Sequence, residues 1–476
     1  MFLWKVKWKD LQLYRRAVYF YCRKLVGNQW SFVIGGLLIG LSEALYYIKY
    51  DHPIHLTTGL AEMFASMERL LGFSLLSRYY SPSVHWVIVG AVLAAVITAM
   101  MEQDWRAWVH YPRSILWLSF AGGMVFSFGS RLASGCTTWH FLGGLATMWT
   151  GSLVVVFVGI PTAMATLWIL SRMRLSEFLK PQENKGTVVA ARMLGYAHDF
   201  SGLDEGYKPA RDRIRIILII FASLILGGSV IASWTSTARS AAEILFLVLV
   251  GLLLGLGFAK TGMGTECAAM SPETRILRDR FELAGIPKIT KWTFSSIMPF
   301  AGLLSAVIPL HLVILWQWIV RGHPLPLAGS PDLPGIHLGY VLGGVLLAIG
   351  SMLMLGCEIR TYARLGMGYT TALAAFPGFY LGYVPYALYH QRIDAFLTSI
   401  AIPLPQNLPA LAGGFPMGQT AIAVLYACAL VALFLWSVRV GTSTLGCSYG
   451  EYFFTSTDNL YVRSEQRSQG GQWPTT

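Results

Sequence analysis

Long apolar stretches alternate along this chain with short polar ones, and ten of them approach the roughly 20 residues that a helix needs to cross a bilayer. They lie near 30–48, 84–101, 114–134, 152–171, 216–234, 242–259, 294–318, 337–356, 367–389 and 417–438. Two segments interrupt the pattern. "TTWHFLGGLATMWTG" (137–151) and "EIRTYARLGMGYTT" (358–371) are semi-polar and glycine-broken. With a helical rise of about 1.5 Å per residue, both are too short to span. They are expected to be re-entrant or broken helices, a geometry that survives at membrane depth only where protein or a cavity surrounds it. The glycine-rich "KTGMGTECAAMSPE" (260–273) is expected to behave similarly.

Charge fixes an expected orientation. If the N-terminus is cytoplasmic, the inner segments hold 29 Lys and Arg and the outer ones 7. That bias matches the excess of basic residues in cytoplasmic loops. The pattern predicts an all-α integral membrane protein with about ten transmembrane helices and both termini in the cytoplasm. A basic interfacial helix (1–28) leads into a first half (29–172). A polar cytoplasmic connector (173–215), a second part (216–440) and a C-terminal cytoplasmic tail (441–476) follow. Only 13% of the 476 residues are charged and 55% are hydrophobic, well away from a soluble composition. The net charge of +12 follows from the loop bias, so no nucleic-acid partner is expected; the lipid bilayer is.

The apolar pattern is also duplicated. "GGMVFSFGSRLASGC" (122–136) aligns without gaps to "GGVLLAIGSMLMLGC" (343–357), both reading GGx5GSx4GC, at an offset of 221. "GLLIGLSEA" (36–44) matches "GLLLGLGFA" (251–259) at an offset of 215. Span 1 thus pairs with span 6 and span 3 with span 8. A shift of five spans reverses orientation, so two inverted-topology repeats are expected, an arrangement typical of secondary transporters that bind substrate where the repeats meet. The repeated glycines fall on one helical stripe and permit close packing.

Each copy of the longer motif ends on a thiol. Of six cysteines, Cys22 and Cys428 have no such setting, whereas Cys136, Cys267, Cys357 and Cys447 each follow a glycine-rich turn or a span end. The spacing of Cys and His supports no metal site, and no cofactor is expected. A thiol in apolar surroundings stays neutral and is a weak, soft donor, suited to a sulfur-bearing anion that must be held and then released. Arg131, Arg360 and Arg364 lie nearby and are placed to attract an anion. Glu266 and Glu358 adjoin two of the thiols and are expected to pair with arginine or to lie off the path. Cys136 and His140, four apart, also allow a thiol–base pair, which leaves a membrane sulfur-transfer or redox enzyme as the alternative function. The second copy carries Thr361 where His140 stands. A third reading takes the glycines as packing alone.

"GSRLASGCTTWHFLGG" resembles the hallmark of the YeeE/YedE family of sulfur-compound transporters, roughly G-x-R-x-x-x-G-C-T-x-x-H-x-x-x-G, at Arg131, Gly135, Cys136, Thr137, His140 and Gly144. "LGCEIRTYARLGMG" looks like its second-half counterpart, and "GLLLGLGFAKTGMGTEC" like the family's other cysteine-ended element. The resemblance implies import of thiosulfate or a related sulfur or selenium species along a narrow central path without enzymatic chemistry. Its expected pathway residues are Cys136, Cys267, Cys357, His140, Arg131, Arg360, Arg364 and Cys447, and a cytoplasmic sulfur-carrier protein is a further expected partner. The chain departs from the family where His52 stands at the position matching Cys267.

Overall fold

The computed structural model describes residues 30–101, 113–172, 240–261, 263, 288–324, 335–354, 356–366, 368–413 and 415–455. The basic segment 1–28, the connector 173–215, the apolar stretch 216–234, Glu266 and Cys267 lie outside the described residues. Of the glycine-rich segment 260–273, Lys260, Thr261 and Met263 are described.

Every named element among the described residues is helical. In chain order they are α1 (Phe32–Tyr50), α2 (Leu56–Leu71), α3 (Trp86–Met101), α4 (Arg113–Leu132), α5 (Thr150–Arg172), α6 (Ala241–Thr261), α7 (Lys288–Leu315), α8 (Leu338–Met354), α9 (Glu358–Gly366), α10 (Thr370–Ser399), α11 (Pro416–Leu445) and α12 (Tyr449–Phe454). Six helical stretches are long and apolar enough to cross a membrane: Phe32–Tyr50, Ile115–Leu132, Ala241–Thr261, Ile297–Val320, Leu338–Gly366 and Pro416–Ser443. Trp86–Thr98 and Thr150–Ala163 are apolar but shorter. The outward faces carry large apolar side chains, among them Leu41, Phe157, Leu249, Leu425 and Leu435, as a lipid-facing surface requires.

Helix ends follow local chemistry. Ser31 caps α1 by accepting from the Ile34 N–H at 3.2 Å. Its hydroxyl also donates to the Phe453 carbonyl, tying the start of α1 to α12. A reciprocal capping box between Ser448 and Glu451 opens α12. Helix α2 falls in what the hydropathy pattern leaves as an extramembrane loop. At 16 residues, broken by Glu62, Glu68 and Arg69, it reads too polar for a span, yet most of it is buried. Its Glu68 carboxylate accepts from the backbone N–H groups of Leu75, Leu76 and Ser77 and from the Tyr380 hydroxyl, which pins the following loop to α10.

Backbones touch wherever glycine leaves room. A Cβ at Gly36 of α1 would lie 2.0 Å from the Gly302 carbonyl oxygen of α7, and one at Gly40 would lie 2.4 Å from that of Ala306. On α6, a Cβ at Gly251 would meet the Val87 carbonyl at 2.2 Å and one at Gly255 the Ala91 carbonyl at 2.4 Å. The offset of 215 converts one set of contacts into the other, with α1 on α7 becoming α6 on α3. Between α4 and α8, Gly122 lies against Gly350 and Gly129 against Gly343, and the offset of 221 exchanges these two contacts. Such separations exclude any side chain at the crossing.

Candidate functional site

The chain reverses direction immediately after α4. Ser134 takes a left-handed conformation at φ +58°, and the Gly135 N–H returns to the Ser130 carbonyl at 2.9 Å. Gly135 leaves no room for a Cβ, which would fall 2.1 Å from the Trp139 ring. A hook of π-helical turns over Trp139–Gly144 follows, and Met148, also left-handed at φ +58°, turns the chain into α5. Residues 131–150 of this hook are buried almost throughout. The second semi-polar segment forms α9, whose residues Glu358 to Leu365 are all buried. Both segments are thus enclosed by protein, the condition under which such backbone is tolerated in an apolar surround.

The hook and α9 meet around one carboxyl group. Glu358 is fully buried and accepts a hydrogen bond from the Tyr362 hydroxyl, one helical turn along α9. Beside the same carboxyl lie the thiol of Cys136 from the hook and the hydroxyl of Tyr383 from α10, and the charge of Arg131 acts on it. Among the described residues no arginine or lysine lies within 4 Å of Glu358. Its Oε2 has no hydrogen-bond partner, nor does the Tyr383 hydroxyl. Of the two expected outcomes, pairing with arginine or a place off the path, a pairing within 4 Å is not found among the described residues. Helix α9 presents the acid to the hook that carries Cys136 instead.

Arg131, 9% exposed, is held by aromatic rings. Its guanidinium carbon stands 5.8 Å from the Tyr80 ring centre. It stands 5.3 Å from the ring centre of Tyr383. Both separations lie within the range over which a ring face attracts a cation. Nη1 donates weakly to Thr58 Oγ1 at 3.4 Å and to the Tyr80 hydroxyl at 3.5 Å. No carboxylate among the described residues approaches it within 4 Å. At short range the buried cation is thus held by neutral groups, and its charge reaches the Glu358 carboxyl from beyond 4 Å.

Cys136 and Cys357 are buried and outside any disulfide. The Cys136 sulfur accepts the Trp139 N–H at 3.4 Å. His140 is turned elsewhere: its Nδ1 shares a 2.9 Å hydrogen bond with Ser152 Oγ, and its ring stacks on Trp149. Its Nε2 is buried without a partner. Arg364 donates to the Met354 carbonyl and sits over the Tyr369 ring, closing the end of α8. Arg360 is buried along the Gly356 turn, where a Cβ would meet its side chain. Cys447 lies apart, packed with Val33, Met298, Ala301, Leu445 and Tyr452 near the α12 cap. Among the described residues there is no group of three His, Cys, Asp or Glu side chains placed to hold a metal ion.

Sequence reasoning missed Thr58, Tyr80, Tyr362 and Tyr383. The i, i+4 spacing of Glu358 and Tyr362 in α9 was a usable signal for one of them. Nothing in the sequence ties Tyr80 or Tyr383 to Arg131, because the three lie on separate segments that meet only in the fold.

A search of curated proteins found no match. The family model for sulphur transport matches residues 2–169, a stretch that contains α1 to α4, the hook with Arg131, Cys136 and His140, and most of α5. Over residues 2–169, about a third of its length, the chain is similar to the YeeE/YedE sulphur transport family.

Proposed function

We propose that this protein carries a small sulfur-containing anion, thiosulfate first among them, into the bacterial cytoplasm along a narrow passage between two inverted halves. The observation that carries the reading is Arg131: a buried guanidinium with no carboxylate within 4 Å among the described residues, on the same hook as Cys136. A dianion entering here gains the attraction of that guanidinium and meets a soft thiol next, a pairing suited to a sulfur-bearing substrate. Weak donors hold without trapping, which transport requires.

In this reading Cys136 and Cys357 are successive contacts from the two halves, with Cys267 a third. Arg131 attracts the anion, Arg360 and Arg364 balance it at the α9 side, and His140 braces the hook. Cys447 stands at the far end, close to where a cytoplasmic sulfur-carrier protein would receive the cargo. The exchange of helix contacts by the 215 and 221 offsets supports inverted repeats, and with them ten spans and two cytoplasmic termini. The engagement of His140 with Ser152 and Trp149 weighs against a Cys136–His140 catalytic pair.

The test is uptake of radiolabelled thiosulfate by cells that lack their own importer. Wild type is expected to restore uptake, and Cys136→Ala and Cys357→Ala to lower it strongly at equal membrane abundance. Uptake unaffected by both substitutions would sink the thiol pathway.

A further inference from the structure

Glu358 has no place in the anion pathway described above, and its position is hard to reconcile with a passive one. Its counterpart in the first half, by the offset of 221, is Thr137, so the acid belongs to one half only. Among the described residues, the groups recorded as acting on it are neutral side chains and the Arg131 guanidinium, which lies beyond 4 Å. Tyr362 comes from its own helix, Cys136 and Arg131 from the end of α4 and the hook, and Tyr383 from α10. Arg131 itself faces Tyr80 and Tyr386 besides. The carboxyl is fully buried, with the Cys136 thiol and the Tyr383 hydroxyl close enough to act on it although Oε2 makes no well-formed hydrogen bond.

We propose that Glu358 is the proton-coupling site of this protein: it must be protonated while the anion passes Cys136, so that one proton crosses the membrane with each substrate dianion. The inference rests on the transport reading and adds the coupling ion to it. The physical reason is that two negative groups cannot share one buried site unless one is neutralised. The thiol of Cys136 lies beside the carboxyl, so an anion held at that sulfur stands next to Glu358. The Glu358 carboxylate takes a proton from the side the anion enters, and the O–H bond breaks on release to the other side. The residue ends as the carboxylate with which it began. One proton and one dianion have moved, and the net charge transferred is one negative. Tyr362 keeps the acid oriented, and Tyr383 bridges the acid and the Arg131 side of the site.

The experiment uses the purified full chain in liposomes containing a trapped pH dye, with radiolabelled thiosulfate outside and the membrane potential clamped at zero by potassium and valinomycin. For wild type, thiosulfate entry is expected to acidify the lumen. Each unit of imposed pH difference, acid outside, is expected to raise steady accumulation about tenfold. Thiosulfate entry without proton entry and without gradient dependence overturns the coupling while leaving transport intact. No thiosulfate entry under any gradient removes the transport reading and the coupling with it.

Glu358→Gln keeps shape and removes the titration. Thiosulfate entry down its own gradient is expected to remain measurable, with proton entry and pH-driven accumulation lost; retention of both in this variant overturns the proposal. Should Glu358→Gln fail to elute as a single species, Tyr362→Phe gives an independent reading. Loss of the hydroxyl that orients the carboxyl is expected to change the pH at which uptake is half-maximal, and an unchanged pH profile counts against Glu358.

Discussion

Arg131 concentrates the chemistry of the site because it is buried without a carboxylate counter-ion among the described residues. Its restraints are two tyrosine rings and long contacts to Thr58 and Tyr80. A charged hydrogen bond is worth about 1.5–3 kcal/mol. Arg131→Gln is therefore expected to lower thiosulfate uptake roughly ten- to a hundred-fold, read as initial rates at matched protein levels. Arg131→Lys is expected to recover only part of the loss, since a point charge on a flexible stem cannot stack between two rings as a planar guanidinium does. Ser134 is the second residue on which the hook depends. Its backbone is left-handed, with φ at +58°. A β-branched side chain is strained there, so Ser134→Val is expected to cost about 1–2 kcal/mol. Ser134→Asn is expected to be tolerated. Thermal unfolding in detergent separates the two.

At the scale of elements, the glycine contacts carry the packing. A methyl group at Gly36 has no space between α1 and α7, where the Gly302 carbonyl and the Ser305 hydroxyl already stand. Gly36→Ala and Gly255→Ala are each expected to destabilise the protein by about 1–3 kcal/mol, the usual cost of overpacking, with melting in detergent as the readout. Gly450→Ala, where a Cβ meets nothing within 4 Å, is the matched control expected to stay near wild type. Gly36 and Gly255 were legible in the sequence as members of the repeat at an offset of 215, and so was the doubled thiol-ended motif. Helix α2 was not, because its carboxylates read as solvent-facing until Glu68 is seen gathering three backbone N–H groups and the Tyr380 hydroxyl. A local pattern records polarity but not the partner that satisfies it.

For the whole molecule, the two offsets make a topological prediction. If α1 on α7 and α6 on α3 are equivalent contacts of inverted halves, the connector 173–215 and the C-terminal tail lie on the same side of the membrane. Single cysteines placed in each, on a background with the exposed native thiols removed, are expected to react with a membrane-impermeant maleimide only after the cells are opened. Labelling of either in intact cells would remove the two-cytoplasmic-termini arrangement. The helices among the described residues fall on nine of the ten apolar stretches, and the stretch 216–234 lies outside the described residues. The apolar stretches were visible because a bilayer demands a long apolar run whatever the run packs against, and among the described residues six helical stretches are long and apolar enough to cross one.

Composition and period by themselves determined that this is a helical membrane chain with a repeated, thiol-ended motif, since these are properties of consecutive residues. They also placed Arg131, Cys136 and Cys357 at equivalent breaks in the helices. Only the tertiary structure decided what those breaks face. It turned His140 towards Ser152 and Trp149, set Arg131 near the rings of Tyr80 and Tyr383, and brought Glu358 beside the Cys136 thiol. The partners lie far apart in sequence, and burial alone makes an unpaired polar atom costly enough to mark a site.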